Sequence, residues 1–301
     1  MTDTELLIDD GVGAGEAARW AKHETSERES PPDPEQDEPG GVAVMALSGG
    51  MDSTGLLVHL LAEGYTVHCL SFYYGQKHNI ELTRAKANVD MMQAQGLNIE
   101  THKMVDLSQA MGVFHSALTS DSIEVPEGHY EQDNMIATVV PNRNAIFSSL
   151  TYGYALSIST KYGCDVEVCL GVHSGDHAIY PDCRPEFYEA IGHAFTIGNW
   201  GSEKVRFNLP FLDGDKTTIL QRAEVACDEL NLDFNRVFAN TCTSYNPDED
   251  GRSSGKSGAD VERILAFIEI GREDPIEYVG GWDTARDCAL AVQAAWEAKV
   301  E

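Results

Sequence analysis

Basic residues are scarce in this chain. Only 21 Lys and Arg stand against 49 Asp and Glu in 301 residues, a formal net charge of −28. Such a surface repels nucleic acid and anionic membranes, which argues against a DNA or RNA reader and against a membrane-surface protein. The acidity is not confined to one end: residues 1–40 carry a net −9 and the remainder −19. The plain reading is an acidic protein with an acidic tail. The favoured reading is adaptation to a salt-rich cytoplasm, where counterions screen self-repulsion. Long hydrophobic runs are also missing, and none approaches the roughly 18 residues needed to cross a bilayer. The opening stretch MTDTELLIDDGVGAGE has no signal-peptide pattern, so a cytoplasmic location is expected. The 7 cysteines, scattered and odd in number, form no disulfide framework. No internal repeat is visible.

What the chain does contain is enough apolar material for one sizeable core, with 42% hydrophobic residues. The Pro-, Glu- and Ser-rich segment His23 to Gly41 cannot contribute, and residues 1–40 are expected to be a disordered acidic extension. Before it, Gly11, Gly13 and Gly15 imitate a dinucleotide fingerprint, but the spacing is wrong and no second strand follows.

From Val42 the pattern changes. VAVMALSGGMDSTGLL (Val42 to Leu57) opens with β-branched and apolar residues, breaks at Ser48-Gly49-Gly50, and resumes with Leu56, Leu57, Leu60 and Leu61 at helical spacing. Strand, glycine loop and helix in succession, with Asp52 and Ser53 at the helix start, form an anion site from loop amides and first-turn N–H groups. A glycine turn alone could be geometry. Two hydroxyls and a carboxylate in the same loop point instead to phosphate.

Further along, Tyr65–Tyr74 reads as a strand, about 79–95 as a helix and Ile99–Leu107 as a third strand. Residues 108–136 form a polar, irregular insertion. A long helix is expected over about 143–162, a buried strand over Val166–Val172 and a helix from Pro185 to about 197. This alternation predicts a doubly wound parallel sheet with helices on both faces. In such sheets ligands bind beyond the carboxyl ends of the strands. The polar clusters SGGMDS, YGQKHN and HSGDH each follow a strand, so they share one active-site rim.

Gly251 to Ser257 falls one residue short of a Walker A loop and no buried strand precedes it, so it reads as a Gly/Ser loop. His173, Asp176, His177 and Cys183 could suggest a metal cluster. Yet His-x₃-His offers one metal-binding face only on a helix, and this loop contains Gly175 and runs into Pro181. Ligand-facing polar groups are the better reading.

SGGMDS fits the S-G-G-x-D-S pattern of the ATP-pyrophosphatase (PP-loop) enzymes, and TVVPNRNAIF, GVHSGDHAIYPDCRPEF, DPIEY, EGHYEQDN and YYGQKH closely resemble the 7-cyano-7-deazaguanine synthase family. The resemblance runs from about Val42 to Tyr278. It implies a Rossmann-like, adenine-nucleotide alpha hydrolase-like domain over residues 41–280, with a helical C-terminal tail over 281–301. It further implies ATP-dependent conversion of 7-carboxy-7-deazaguanine and ammonia to the nitrile, through an adenylated carboxylate and an amide, on a queuosine or archaeosine route. A homodimer and Mg²⁺ are implied with it.

Carried onto this chain, the resemblance assigns ATP to Leu47, Ser48, Gly49, Gly50, Met51, Asp52, Ser53 and Thr54, with Asp52 placing Mg²⁺ against the leaving pyrophosphate. Charge developing on the α-phosphate and acyl oxygen needs cationic partners. Lys77, Arg143, Arg184 and Lys216 are the candidates, and Lys77, Arg143 and Lys216 are taken as catalytic alongside Asp52 and Ser53. The purine-like base is assigned to Asn142, Asp176, Tyr180, Asp182 and Arg184. Two rival readings are a relative that joins an adenylated deazapurine carboxylate to another amine, and a non-catalytic nucleotide-binding homologue.

The chain departs from the family at one place. Members carry a structural zinc on four cysteines, and here the matching positions are Ser244, Ser254, Ser257 and Asp260, with Cys242 displaced by two residues. Neutral serine is a poor zinc ligand beside thiolate. Structural zinc is therefore expected to be absent, the loop around Ser254–Gly258 mobile, and the following helix docked by Val261, Ile264, Leu265 and Ile268.

Overall fold

The computed structural model describes residues 40–77, 79–120 and 123–300. The expected acidic extension therefore lies outside the described residues, apart from Gly40. Five parallel strands form one sheet: β1 (Val42–Ala46), β2 (Thr66–Tyr73), β3 (Ile99–Asp106), β4 (Val166–Cys169) and β5 (Val205–Asn208). Their spatial order is β3-β2-β1-β4-β5. The chain winds outward from β1 through β2 to β3, then returns to the other side of β1 for β4 and β5. The reversal opens a crevice beyond the carboxyl ends of β1 and β4, the topological switch point of an open α/β sheet.

Side-chain alternation along β1 accounts for the two layers. Ala43 and Met45 pack into the core beneath α1 (Met51–Ala62) and α2 (Ile80–Ala94), while Val44 faces the opposite layer. That second layer is α4 (Arg143–Tyr162), through Tyr152, Ala155 and Ile158, and α5 (Pro185–Gly198), through Phe195. Between β3 and α4 come the short α3 (Ser108–Met111) and a 3₁₀ turn at Asp133–Thr138, set in the irregular insertion the sequence predicts. The α4 bounds match the expected 143–162, and Gly163 ends that helix with a φ of 73° that suits glycine.

On the first layer α6 (Lys216–Glu229) lies against α1 so closely that a Cβ on Gly55 would meet Ile219 Cγ2 at 2.5 Å. Next to it sit α7 (Phe234–Ala239) and α8 (Gly258–Glu269), which bring Phe238 and Phe267 into the same core. The last helix, α9 (Trp282–Val300), packs Ala285 and Ala289 against Val261 and Ile264 of α8. No helix among the described residues is long and apolar enough to cross a membrane.

Two sequence expectations need correction. β4 stops at Cys169 rather than Val172 because a Cβ on Gly171 would sit 3.1 Å from Asp52 backbone atoms, so the chain there serves the loop and not the sheet. The Gly/Ser segment before α8 is built rather than loose. Ser253 N–H donates to the Glu277 carbonyl (2.9 Å) and Val279 N–H to the Ser253 carbonyl (2.9 Å).

The four positions that replace the cysteines converge in three dimensions. The Asp260 carboxylate, fully buried, accepts from the hydroxyls of Ser244 (3.0 Å), Ser254 (2.9 Å) and Ser257 (2.8 Å), from Ser257 N–H (3.2 Å), and from Ser253 Oγ. Ser257 and Asp260 also form the reciprocal capping box that starts α8. A carboxylate filled by neutral donors thus ties residues 244, 253–257 and α8 together. These residues do not fit zinc: three ligand positions are hydroxyls, and the fourth spends its oxygens on them.

Candidate active site

β1 runs straight into the loop. Leu47 N–H still donates to the Leu70 carbonyl of β2 (2.8 Å), while its own carbonyl accepts from Ser71 Oγ (2.5 Å). Gly49 then takes a φ of +89°, and a Cβ there would lie 2.0 Å from the Glu81 carbonyl oxygen, so only glycine fits. Gly50 caps α1 with no side chain to compete for the first-turn amides. The loop is closed on itself by Ser48 Oγ and Ser53 Oγ at 2.9 Å, with Ser48 N–H on Ser53 Oγ (3.2 Å) and Gly50 N–H on Ser48 Oγ (3.2 Å). Its far side is braced from the C-terminal half. Cys242 N–H donates to the Gly49 carbonyl (2.9 Å), and Met51 N–H to Thr243 Oγ1 (3.3 Å). Thr243 is held in turn by Arg263 Nη1 (3.0 Å), whose guanidinium is paired with Asp274 at 2.6 and 2.8 Å in a fully buried fork.

At the mouth of the loop sits a compact charge cluster. Lys216, the first residue of α6 and only 5% exposed, donates to Asp52 Oδ2 (2.9 Å) and to His173 Nε2 (2.8 Å), and lies 3.2 Å from Glu262 Oε2. Asp215 fixes the start of α6 by accepting from Thr218 N–H (2.7 Å). The Lys216 Nζ is thus surrounded by two carboxylates and an imidazole nitrogen. Asp52 Oδ1 is buried and has no hydrogen-bond partner among the described residues.

A cavity of about 240 Å³ opens from this cluster. Ser48, Gly50, Asp52 and Ser53 line it from the loop, and Lys77, Arg143, Tyr180 and Lys216 from the other elements, so the fold brings these predicted residues together. One wall is flat and apolar, with Phe72 stacked on Phe147 at 4.4 Å and 11°. Arg143 lies 5.7 Å from the Tyr180 ring centre. Burial works against its charge most strongly, but Tyr74, Tyr180, Tyr245 and Cys183 around it raise its pKa well above the ordinary value. Arg143, half-buried, is thus a fixed cation in the cavity wall. Tyr180 Oη is shared with Thr138 Oγ1 (2.7 Å) and Tyr245 Oη (3.3 Å). Lys77 Nζ donates to the Ile123 carbonyl (2.7 Å).

Other predicted residues have scaffold positions. Leu47, Met51 and Thr54 are buried in the core behind the loop. Asp182 accepts from Asn144 N–H (3.1 Å) and Asn144 Nδ2 (3.2 Å), holding the start of α4, and Arg184 Nε donates to the His177 carbonyl (2.8 Å). Asn142 is exposed with a φ of 58°. The side chain of Asp176 lies outside the described residues. Sequence reasoning overlooked Glu262, Thr243, Gln76 and Glu81. Gln76 stood in a quoted motif, whereas the others reach the site from helices and loops with no local signal.

Glu81 is the least expected of these. Its Oε1 accepts from Gln76 Nε2 (3.2 Å), and Gln76 is oriented by accepting the Tyr74 N–H on Oε1 (2.8 Å). Burial pushes its pKa from 4.5 up to about 7, against the opposing pull of Gln76 and Arg143.

Fold and site together define a doubly wound α/β protein with a glycine-rich loop and a charge cluster at its switch point. Comparison with known proteins narrows this. The model of the family described as "Queuosine biosynthesis protein QueC" matches residues 42–271. The chain is 46% identical over 237 residues to 7-cyano-7-deazaguanine synthase of Marinomonas sp. (strain MWYL1), covering 78% of this chain and 97% of that protein. It is 42% identical over 236 residues to the enzyme of the same name from Hahella chejuensis (strain KCTC 2396), covering 78% and 92%. A third relative, 7-cyano-7-deazaguanine synthase 2 of Colwellia psychrerythraea (strain 34H / ATCC BAA-681), is 43% identical over 236 residues, covering 78% and 97%. The chain belongs to the QueC family of 7-cyano-7-deazaguanine synthases.

Proposed function

We propose that this enzyme uses ATP to convert 7-carboxy-7-deazaguanine and ammonia to 7-cyano-7-deazaguanine. The observation that carries the reading is the placement of Lys216, Asp52 and His173 at the mouth of the SGGMDS loop, opening into a cavity with an aromatic wall and a half-buried Arg143. The loop amides and the hydroxyls of Ser48 and Ser53 suit a leaving pyrophosphate. The unpartnered Asp52 Oδ1 suits Mg²⁺, which when bound would neutralise charge on the phosphates. Lys216 would compensate the charge that builds as the substrate carboxylate attacks the α-phosphorus. The stacked Phe72–Phe147 wall suits the flat deazapurine, and Arg143 its carboxylate. The amide formed from the first acyl adenylate would be activated again and dehydrated to the nitrile.

The family's structural zinc has no place in this reading, since Asp260 and the serines close that corner without metal. The acidic surface accords with small-molecule substrates and with work in concentrated salt. The test is nucleotide analysis. With Mg²⁺ and 7-carboxy-7-deazaguanine, AMP and pyrophosphate should appear only when the deazapurine acid is present. Formation of ADP and phosphate instead would end the proposal.

A further inference from the structure

Resting on the synthase reading, the geometry points to Glu81 as the base that deprotonates the incoming ammonium when it attacks the acyl adenylate. At neutral pH the amine is mostly ammonium, which has no lone pair until a proton leaves. A general base must therefore face the cavity where the acyl carbon sits.

The described lining residues offer few candidates. Only Asp52 and Glu81 contribute carboxylates to the cavity. Asp52 is paired with Lys216 beside the loop that suits phosphate, at 2.9 Å. Burial raises the Tyr74 phenol above its ordinary range and pushes the Cys242 thiol up to about 11, so neither supplies a base at neutral pH. Lys77 Nζ is engaged as a donor to the Ile123 carbonyl. Glu81 remains. Its Oε1 is fixed by Gln76, and no donor to its second oxygen is found among the described residues. The charged and titratable groups that bear on it are Arg143 from α4, Tyr74 after β2, Cys242 beside the loop, and Arg84 one turn along its own helix, which is engaged with the Thr241 and Gly251 carbonyls.

In the step proposed, one ammonium proton moves to a Glu81 oxygen. The freed electron pair forms the C–N bond at the acyl carbon. The C–O bond to AMP breaks with its pair on the phosphate oxygen, and a second proton leaves the new amide nitrogen to water. Acyl adenylate and ammonium thus give amide, AMP and two protons. A half-buried carboxylate that lines the cavity and has a pKa near 7 is half ionised at the working pH, as an efficient base should be.

Glu81→Gln tests this. In the variant, pyrophosphate exchange into ATP that depends on 7-carboxy-7-deazaguanine should persist within a few-fold, while amide and nitrile formation at pH 7 falls by about 100-fold or more. The pH profile discriminates further. At fixed total ammonium the wild-type rate should rise to about pH 7 and then level, because the ionised base uses ammonium itself. The variant should keep rising through pH 9, tracking free ammonia alone. Loss of exchange together with product, or full product formation, or a wild-type profile with no bend near pH 7, overturns the assignment. The wild-type profile alone decides if the variant does not fold. Failure of the synthase reading is separable, because wild-type protein would then make no amide at any pH.

Discussion

Replacing Asp260 with Ala should be among the most destabilising single changes available in this protein. The carboxylate is fully buried and accepts from four serine hydroxyls and one backbone N–H. Ser253 and Ser257 are each only 2% exposed, so their hydroxyls cannot turn to water when the acceptor is removed. A buried donor left unsatisfied costs roughly 1–3 kcal/mol, and loss of the capping box adds about 1 kcal/mol. Some hydroxyls will find each other, which brings the net to on the order of 3–5 kcal/mol. That is a large share of a total of about 5–15 kcal/mol for a typical domain. Urea unfolding followed by circular dichroism should show a lower midpoint with an unchanged slope. Asp260→Asn should lose less, since one acceptor oxygen remains. The same account requires that purified wild-type protein contain negligible zinc and unfold identically with and without EDTA. A cost under about 1 kcal/mol for Asp260→Ala, or one tightly held zinc per chain, would refute the reasoning.

Three other outcomes follow from the same structure. If the proposed function holds, Lys216→Ala should lower kcat/KM for the deazapurine acid by about 10²–10³-fold, since it would take a preorganised cation from the phosphate and leave Asp52 and Glu262 facing each other; steady-state kinetics checks this, and a loss under tenfold would contradict it. Burial raises the Glu81 pKa from 4.5 to about 7, so its ionisation disfavours the fold as pH rises through that range. Glu81→Gln should therefore raise stability at pH 8 by on the order of 2 kcal/mol and change little at pH 4 in paired urea titrations, while equal effects at both pH values would contradict the burial argument. The net charge of −28 predicts a melting temperature that climbs between 0.1 and 1 M KCl, as the Debye length falls from ~10 to ~3 Å; a flat or falling curve in differential scanning fluorimetry would leave the acidity without a physical role.

What could be read before the structure was the local part. The strand, loop and helix at Val42–Leu61, the span of α4 and the irregular insertion all follow from periodicity and glycine, because neighbouring residues decide them. β5 escaped notice, since four residues reading Val-Arg-Phe-Asn carry too little pattern to announce a strand. The lining of the candidate site was legible at the loop and at Lys77, Arg143, Tyr180 and Lys216, where family-like motifs stand. Glu262 and Glu81 were not, because each belongs to a helix whose packing aims it at the loop, and packing leaves no short-range signal. The corner around Asp260 divides the same way. Substitution of the cysteines was plain in the letters. That the serines and aspartate would satisfy one another was not, because it depends on residues 244, 253–257 and 260 meeting in space.

The most direct test of the central claim is mass spectrometry of the products after incubation with ATP, Mg²⁺, 7-carboxy-7-deazaguanine and ammonium in high salt. The account predicts the nitrile, with two AMP and two pyrophosphate per nitrile formed and the amide as a transient. Accumulation of a different amine adduct, or no deazapurine product alongside an intact fold, would contradict it.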